Sequence, residues 1–409
     1  MTGAAPAAYT GQMFAIRADR AFDGTAFLDG VTLLVDGPTI AGVEPAGFRL
    51  PEGCPEIRHP GLLLPGLIDT HTHLVGDSLM GALDRVAGYS DSEIEAVVTQ
   101  ALADHLAAGI TTVRDLGDRK FNVADRRRRA GEPTVLAAGP PLTTPGGHCF
   151  YLGGEVDCST GPQAVDRAVA ERVERGVDVI KVMASGGMLT PGTDVLAPQF
   201  SLEALRRIVD RAHAAGLPVT AHAHPIPAIR QAVQAGVDGI EHCTCLGPGG
   251  MEIDRRLFDE IAAAGVVVCG TAGTDPLNPF IPPPPIQAIF DRLGVTEDDM
   301  IRGRIEQLAA LHAAGVRLVC GVDSGIGDTK PHGSVGFAVA DHLIAGIPAE
   351  VALAGATSES ADVCGLPAKG RLRAGADADL LAVDADPRIV PYALGTVAAV
   401  WLGGTQIAG

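Results

Sequence analysis

The sequence contains few aromatic residues and no long hydrophobic run. Aromatic side chains make up 4% of its 409 residues, whereas hydrophobic residues as a group make up 46%. The core must therefore be built mainly from aliphatic side chains, which suit helices packed against a sheet. The longest apolar stretches, such as residues 262 to 269, are much shorter than the roughly 20 residues that cross a bilayer. No membrane-spanning helix is expected.

Basic residues and cysteine motifs are also scarce. The chain has 31 lysines and arginines against 49 acidic residues, a formal net charge of −18. This excess of negative charge argues against nucleic acids and anionic membranes as partners. The eight cysteines form no C-x-x-C pair, which is typical of reduced thiols in a cytosolic protein. The N-terminus lacks the pattern of a signal peptide, so a cytoplasmic location is expected.

No G-x-G-x-x-G motif follows an early strand, which weakens a dinucleotide-binding interpretation. The middle of the chain instead repeats a unit in which a helical pattern ends near Ala-Gly and a short apolar strand follows. Residues 108–113, 215–220 and 314–319 are clear examples. Glycine just past a helix supplies its left-handed terminal residue. The repeat therefore predicts alternating helices and parallel strands.

About eight such strands can be counted between residues 62 and 323. Eight βα units predict an α/β fold of the (β/α)8 TIM-barrel type, with an open doubly wound sheet as the alternative. Both ends of the chain instead contain short strand patterns with turns. We therefore predict a composite β-sandwich-like domain formed by both termini, residues 1–62 plus 366–409, around a barrel of residues 63–365.

Two long loops interrupt the βα rhythm of the predicted barrel. Residues 139 to 160 are rich in Gly, Pro and Thr, and residues 271 to 295 contain four consecutive prolines. Both follow predicted strand ends, where loops of a barrel commonly shape the active site. We expect these loops to form the walls of a pocket.

His71 and His73 lie at the end of the first apolar strand pattern. Two residues at i and i+2 of a strand point to the same side, and a pair of imidazoles is half of a metal site. An isolated pair of this kind is more often structural. However, His222, His242 and Asp323 also lie at predicted strand ends, where a barrel places its active site. The presence of candidate ligands at the ends of several strands favours a metal centre over a purely structural role.

Lys181 lies within another buried apolar strand pattern, residues 179 to 183. A lysine there is costly unless its charge is paired or removed. The structural interpretation is an ion pair with a nearby carboxylate. The chemical interpretation is that CO₂ adds to the amine, giving a carbamate whose two oxygens bridge two cations.

The order H-x-H, Lys, His, His, Asp along these strands resembles the amidohydrolase superfamily of metal-dependent hydrolases. The local strings are similar to its prolidase-like and imidazolonepropionase-like branch. The strings that carry the resemblance are residues 64–73, 111–115, 180–187, 221–224, 240–242 and 375–380. The resemblance extends from about residue 12 to residue 409.

The resemblance implies two divalent metal ions, with zinc the usual choice, and a CO₂-derived carbamate on Lys181. The implied metal ligands are His71, His73, Lys181, His222, His242 and Asp323. It also implies that a hydroxide bridging the two ions attacks the scissile carbonyl. Asp323 then acts as general base and general acid, passing the proton to the leaving amine.

Three further histidines are expected to contact the substrate. His148 lies in the loop after the third strand, where similar enzymes place a histidine near the substrate's carboxylate or oxyanion. His224 lies two residues after a ligand, at a position where relatives often have tyrosine. His332 follows the last strand. Ser324, beside Asp323, is expected to be a hydrogen-bonding residue rather than a nucleophile.

The resemblance implies hydrolysis of a C–N amide bond in a small molecule, such as a dipeptide or an N-acyl amino acid. A cyclic-amide hydrolase similar to imidazolonepropionase and a lactone or ester hydrolase are the alternatives. Deamination is disfavoured because deaminases usually have one metal and no such lysine. A non-catalytic scaffold relative would typically have lost ligands. Relatives are often homo-oligomers, so a second copy of the chain is a candidate protein partner, although the sequence itself does not indicate the oligomeric state.

Overall fold

A computed structural model describes residues 13–126, 129–273, 275, 277–278 and 281–408. Strands β1 to β16 span Met13–Phe22, Phe27–Asp36, Thr39–Pro45, Glu56–Pro65, Leu67–Thr72, Ile110–Asp115, Thr134–Ala137, Ile180–Met183, Val219–Pro225, Gly239–Gly247, Gly250–Met251, Val267–Cys269, Leu318–Val319, Leu380–Val383, Val397–Leu402 and Thr405–Ala408. Helices α1 to α12 span Ala82–Arg85, Asp91–Ala107, Asn122–Arg126, Gln163–Glu174, Leu202–Ala214, Ile226–Ala235, Arg255–Ala263, Pro284–Leu293, Glu297–Ala313, Val335–Ile344, Ala349–Gly355 and Ser358–Val363. Within these ranges, no helix has both the length and the apolar character needed to cross a membrane.

The two ends of the chain build one seven-stranded sheet with the order β16-β15-β14-β4-β1-β2-β3. Strand β4 is its centre, because β4 pairs in parallel with β1 and antiparallel with β14. The sheet buries its own apolar cluster, which includes Leu33, Leu63 and Trp401. The strands predicted at the two termini therefore lie side by side, and they pair as one continuous sheet.

Eight parallel strands form the middle of the molecule in two sheets, β5-β6-β7 and β8-β9-β10-β12-β13. Every residue of β5, β8 and β9 is buried, as expected for parallel strands covered on both faces. A doubly wound sheet reverses its strand order at a switch point. Here the neighbours follow the order of the chain, so the doubly wound alternative is not supported.

Backbone hydrogen bonds join the edges of the two parallel sheets. On one side, Leu142 N donates to Lys181 O and Met183 N donates to Leu142 O, both at 2.8 Å. On the other side, His73 N donates to Ser324 O at 2.9 Å. The first and last parallel strands are thereby brought next to each other, and with them the predicted site residues.

Helix ends follow the predicted Ala-Gly pattern. Helix α2 ends at Ala107, and Gly109 adopts φ +78° before β6 begins. Helix α6 ends at Ala235, and Gly236 is its left-handed cap with φ +86°. This sharp exit lets each short strand start directly after its helix.

Two details differ from the sequence-based expectation. Residues 271 to 295, predicted as a loop, contain helix α8. Proline is tolerated in the first helical turn because its missing N–H has no intrahelical partner there, so the proline run begins α8 at Pro284. Strands β9 and β10 continue past His222 and His242, whereas β13 ends at Val319, before Asp323.

Gly66 connects β4 of the seven-stranded sheet to β5 of the parallel strands. An added Cβ would lie 2.2 Å from Thr111 Oγ1 and 2.5 Å from its Cγ2, and Thr111 is buried. We therefore expect Gly66→Ala to lower the free energy of unfolding by about 1–3 kcal/mol, measured by urea denaturation. Gly47→Ala is the matched control, since a Cβ there meets nothing within 4 Å. Adding Thr111→Ala should restore part of the loss, and an unchanged Gly66→Ala stability would refute the steric argument.

Candidate metal centre and active site

Six buried imidazoles form one continuous cluster at the carboxyl ends of the parallel strands. They are His71, His73, His148, His222, His224 and His242, each at most 7% exposed. Ring centroids of contacting pairs lie 4.5 to 5.5 Å apart. The structure therefore brings together all four predicted histidine ligands and two of the three histidines predicted to contact the substrate.

His71 and His73 each have one ring nitrogen held by the protein. His71 Nδ1 donates to Glu241 Oε2 at 2.8 Å, and His73 Nδ1 donates to Gly117 O at 3.0 Å. The other nitrogen of each ring is Nε2, and each Nε2 lies 3.2 Å from Asp323 Oδ1. A protein partner on one nitrogen fixes the ring and prepares the other to bind a metal.

His222 and His242 are oriented in the same way. His222 Nε2 donates to Gly186 O at 3.1 Å, and His242 Nδ1 is hydrogen-bonded to Thr271 Oγ1 at 2.9 Å. Burial lowers the pKa of His222 and that of His242 well below the usual range. Both rings are therefore neutral, which is the form that coordinates metals.

Asp323 lies against the first histidine pair, just beyond β13. Burial alone would raise the pKa of its carboxyl, but the charge of His71 and hydrogen bonds from His71 and His73 hold that pKa well below its usual range. Its backbone is left-handed, with φ +62°, and Asp323 N donates to His71 O at 2.8 Å. His242 and Thr271 are left-handed as well. Strained non-glycine residues of this kind cluster at functional sites.

Lys181 is 1% exposed and lines a small cavity of about 30 Å³ together with His71, His73 and Asp323. Burial lowers the pKa of its amine. In the described part of the chain Lys181 forms no ion pair, and nearby Glu241 is taken up by His71 and Arg114. The structural interpretation of Lys181 as half of a salt bridge is therefore not supported.

Glu241 is a site residue that was not assigned a role from the sequence. Its Oε1 accepts hydrogen bonds from Thr220 Oγ1 at 2.6 Å and from Arg114 Nη2 at 3.1 Å, while Oε2 accepts from His71. Burial would raise the pKa of Glu241, but His71 and the other cationic neighbours lower it overall. A carboxylate inside an apolar strand is as costly as a lysine there, and that signal could have identified it.

His148 and His224 both border the ligand cluster. His148 Nδ1 lies 2.7 Å from Thr190 Oγ1, and a Cβ on Gly187 would come within 2.5 Å of three atoms of the His148 ring. His224 stacks on His242 with centroids 4.8 Å apart. Burial lowers the pKa of each of these two rings to about 3, so both are neutral.

His332 lies elsewhere. Its Nε2 hydrogen-bonds Gly76 O at 2.9 Å and its ring contacts His105, and it does not line the cavities described in this section. The expected substrate contact of His332 is not supported by this position. Ser324 Oγ donates to Asp69 Oδ2 at 3.1 Å and to Thr72 Oγ1 at 2.7 Å, which agrees with its expected role as a hydrogen-bonding residue.

The donor atoms suit a divalent ion. The potential ligand atoms of His71, His242 and Asp323 lie within 4.8 Å of one another. Those of His222, His224 and His242 form a second group of the same size. Imidazole nitrogens with carboxylate oxygens are the ligands preferred by zinc and similar metals. The residues present therefore fit a metal centre.

A cavity of about 490 Å³ opens onto this cluster. His148, His222, His224, His242 and Asp323 line its inner end, and methionine and isoleucine are the most frequent residues in the rest of its lining. Its size is that of a site for a small molecule. The cavity gives such a molecule access to the candidate metal ligands.

Comparison with known proteins identifies the family. The model of the amidohydrolase family matches residues 62–407. The chain belongs to the amidohydrolase family. It is thus a hydrolase that acts on carbon–nitrogen bonds, and its family usually uses metal ions.

Similar proteins have several different activities. Over 362 residues the chain is 26% identical to ochratoxinase from Aspergillus niger, covering 80% of this chain and 71% of that protein. It is 27% identical to imidazolonepropionase from Deinococcus deserti over 381 residues, 84% of each chain. The fold also matches a crystal structure of a Xaa-Pro dipeptidase with a TM-score of 0.82, at 24% identity over 97% of this chain and 100% of that one.

Glu241→Gln should destabilise the metal-free protein by about 3 kcal/mol, because Arg114 and His71 lose a buried charged partner. Glu359→Gln, at an exposed pair with Arg317, should cost less than about 1 kcal/mol. The pKa of folded Glu241 is depressed, so its contribution is complete at pH 7 and declines as the pH falls below its ordinary pKa of about 4.3. Urea unfolding at pH 7 and at pH 4 measures both effects, and equal costs for the two variants would contradict the buried network.

Proposed function

We propose that this amidohydrolase is a binuclear metal-dependent enzyme that cleaves the amide bond of a small molecule of the dipeptide or N-acyl amino acid type. The observation that carries the proposal is the arrangement of His71, His73, His222 and His242. In each ring the protein holds one nitrogen, and the rings form a single cluster beside Lys181. Such second partners are typical of metal-ligating histidines.

The fold supports the same proposal. The eight parallel strands, joined at both sheet edges, support a (β/α)8 barrel with its site at the carboxyl ends of the strands. We assign the barrel to residues 63–365 and the composite β-domain to residues 1–62 plus 366–409, of which residues 1–12 lie outside the described part. Eight free cysteines are compatible with a reducing, cytoplasmic location.

His71 and His73 would hold one ion beside Asp323, and His222 and His242 would hold the second. Lys181 would bridge them after its neutral amine adds to CO₂, which forms an N–C bond and releases one proton. When bound, two divalent ions of this kind, zinc first among them, acidify water and polarise the scissile carbonyl. The low pKa that burial gives the Lys181 amine favours the neutral form that reacts with CO₂.

Asp323 is positioned to move the proton of the reaction. In hydrolysis the carbonyl carbon gains an oxygen from water and its bond to nitrogen breaks. The ionised carboxylate of Asp323 accepts the proton from the attacking water and donates it to the leaving nitrogen. His148 and His224, at the inner end of the cavity, would contact the substrate beside this group.

A cyclic amide is the second candidate substrate, favoured by the similarity to imidazolonepropionase. Lactones and esters share the same carbonyl chemistry. A screen of dipeptides, N-acyl amino acids, cyclic amides and lactones with metal-replete enzyme separates these classes. We expect the highest kcat/KM among the dipeptides and N-acyl amino acids, and a preference for cyclic amides or lactones would overturn that part of the proposal.

Lys181→Ala tests the bridging carbamate. Wild-type protein loaded with zinc should contain about two ions per chain, whereas Lys181→Ala should contain fewer than about one and lose hydrolysis, because the variant has no amine to form the bridge. Metal analysis and turnover measure both effects, with exposed Lys120→Ala as the control. Carbon-13 NMR after incubation with labelled bicarbonate should show a carbamate signal in wild type alone. Unchanged metal content and turnover in Lys181→Ala would refute the bridge.

Asp323→Asn tests the proton transfer. The amide retains an oxygen but cannot take up a proton at neutral pH, so we expect metal content to remain and kcat to fall roughly 10²- to 10⁴-fold. Exposed Asp328→Asn is the matched control and should retain full turnover. Retained turnover in Asp323→Asn would contradict the assignment.

A further inference from the structure

Two cationic side chains line the large cavity next to the metal centre. Arg304, on α9, donates from Nη1 to His242 O at 2.7 Å and to Gln307 Oε1 at 3.1 Å. Lys330 Nζ donates to Thr271 O at 2.9 Å and to Gly273 O at 3.2 Å. Because Thr271 also holds the ring of His242, both cations lie close to the same candidate ligand.

Neither cation forms an ion pair within the described ranges, although the chain has 18 more acidic than basic residues. Among the described residues, Arg304 donates hydrogen bonds only from Nη1, and its Nε and Nη2 are not among the buried atoms that lack a partner. These two N–H groups can therefore face the cavity. A guanidinium edge of this kind matches a carboxylate in a two-point contact.

Three carboxylates also line the cavity and have to be considered. Asp323 Oδ1 lies 3.2 Å from Nε2 of His71 and from Nε2 of His73. Asp341 accepts a hydrogen bond from Gly273 N at 2.7 Å. Glu297 begins α9, roughly 10 Å along the helix axis from Arg304. In the described part of the chain, none of these three carboxylates forms an ion pair with Arg304 or Lys330, so they reduce the local positive charge without binding either cation.

Much of the remaining wall of the cavity is apolar. Four of the seven methionines in the chain, at positions 80, 188, 251 and 300, line it together with Phe290 and Ile301. Part of this wall is supported from behind, because Met188, Met251 and Met300 pack on a small cluster of buried apolar residues. Methionine is flexible and polarisable, so such a wall accepts large apolar groups of different shape.

We infer that the substrate is an N-acyl amino acid, or a dipeptide, with a free α-carboxylate bound by Arg304 and Lys330 and a large apolar side chain against the methionine-rich wall. The inference rests on the proposed amide hydrolysis and narrows its substrate class. The position of both cations beside His242 places the carboxylate next to the scissile amide. Arg304 and Lys330 are thus specificity-determining residues, a role that no sequence pattern indicated.

The first experiment compares matched substrates of the metal-loaded enzyme by measuring acetate release. N-acetyl-L-phenylalanine and N-acetyl-L-phenylalaninamide differ only in the carboxylate, and the acid should have a kcat/KM roughly 10- to 100-fold higher. N-acetyl-L-phenylalanine should also exceed N-acetylglycine and N-acetyl-L-aspartate by at least about 10-fold. A preference for the neutral amide, or for glycine or aspartate, would overturn the inference.

The second experiment assigns the preference to the two cations. Arg304→Met and Lys330→Met remove charge at similar size, and each should reduce the ratio of acid to amide kcat/KM by roughly 10-fold or more. Arg304→Lys should recover part of the ratio, because it keeps the charge. Arg302→Met, an exposed site on the same helix, should keep the wild-type ratio. An unchanged ratio in Arg304→Met and Lys330→Met would refute their role.

A binding measurement separates this inference from the proposed function. L-phenylalanine, the expected amine product, should bind metal-loaded wild-type enzyme in calorimetry and should bind Arg304→Met roughly 10-fold more weakly. Binding of this kind without hydrolysis of any amide would support the carboxylate site and refute the proposed reaction. Hydrolysis of amides with equal binding of L-phenylalanine and L-phenylalaninamide would support the reaction and refute the carboxylate site.

Discussion

The carboxylate of Glu241 connects four of the eight parallel strands at the centre of the molecule. It lies on β10, next to His242, and it bonds His71 on β5, Arg114 on β6 and Thr220 on β9. Strands β5 and β6 belong to one parallel sheet, and β9 and β10 belong to the other. A buried charge without partners is strongly destabilising, so the two sheets must keep the register in which all three partners reach Glu241. The same register sets the position of His71 relative to His242.

The rest of the site depends on backbone positions that sequence patterns do not favour. His242, Thr271 and Asp323 all adopt left-handed backbone conformations, which are unfavourable for side chains with a Cβ. Each is held by partners, as when Asp323 N donates to His71 O and Arg304 donates to His242 O. Packing and hydrogen bonds of the parallel strands therefore offset the local strain and bring these polar groups together in one cluster.

Candidate ligands could be selected from the sequence because polar side chains are rare in buried strands. His71, His73 and Lys181 were found by that argument, and the structure places them together. Glu241 is also a polar residue in a buried strand, but His242 next to it already accounted for the polar motif in that strand, so Glu241 was assigned no role. Arg304 offered no signal, since an arginine on a helix is ordinarily solvated, and only the packing of α9 against β10 brings it to the cavity. For His332, its place after the last strand predicted that it lies near the carboxyl ends of the strands, but no sequence pattern indicates whether its ring reaches the cavity, and it does not line the cavities described above.

The chain carries a net negative charge, whereas two cations, Arg304 and Lys330, line its cavity beside the candidate ligands, and distance reconciles the two observations. Surface carboxylates act on a ligand through water and salt, and their field is screened beyond about 8 Å at physiological ionic strength. Arg304 and Lys330 act in a partly buried site where screening is weaker and a guanidinium binds a carboxylate at hydrogen-bond distance. An acidic surface therefore slows the approach of an anionic substrate without preventing its binding. With an N-acyl amino acid as the substrate, hydrolysis would create a second carboxylate beside the first, and the same surface would favour release of both products.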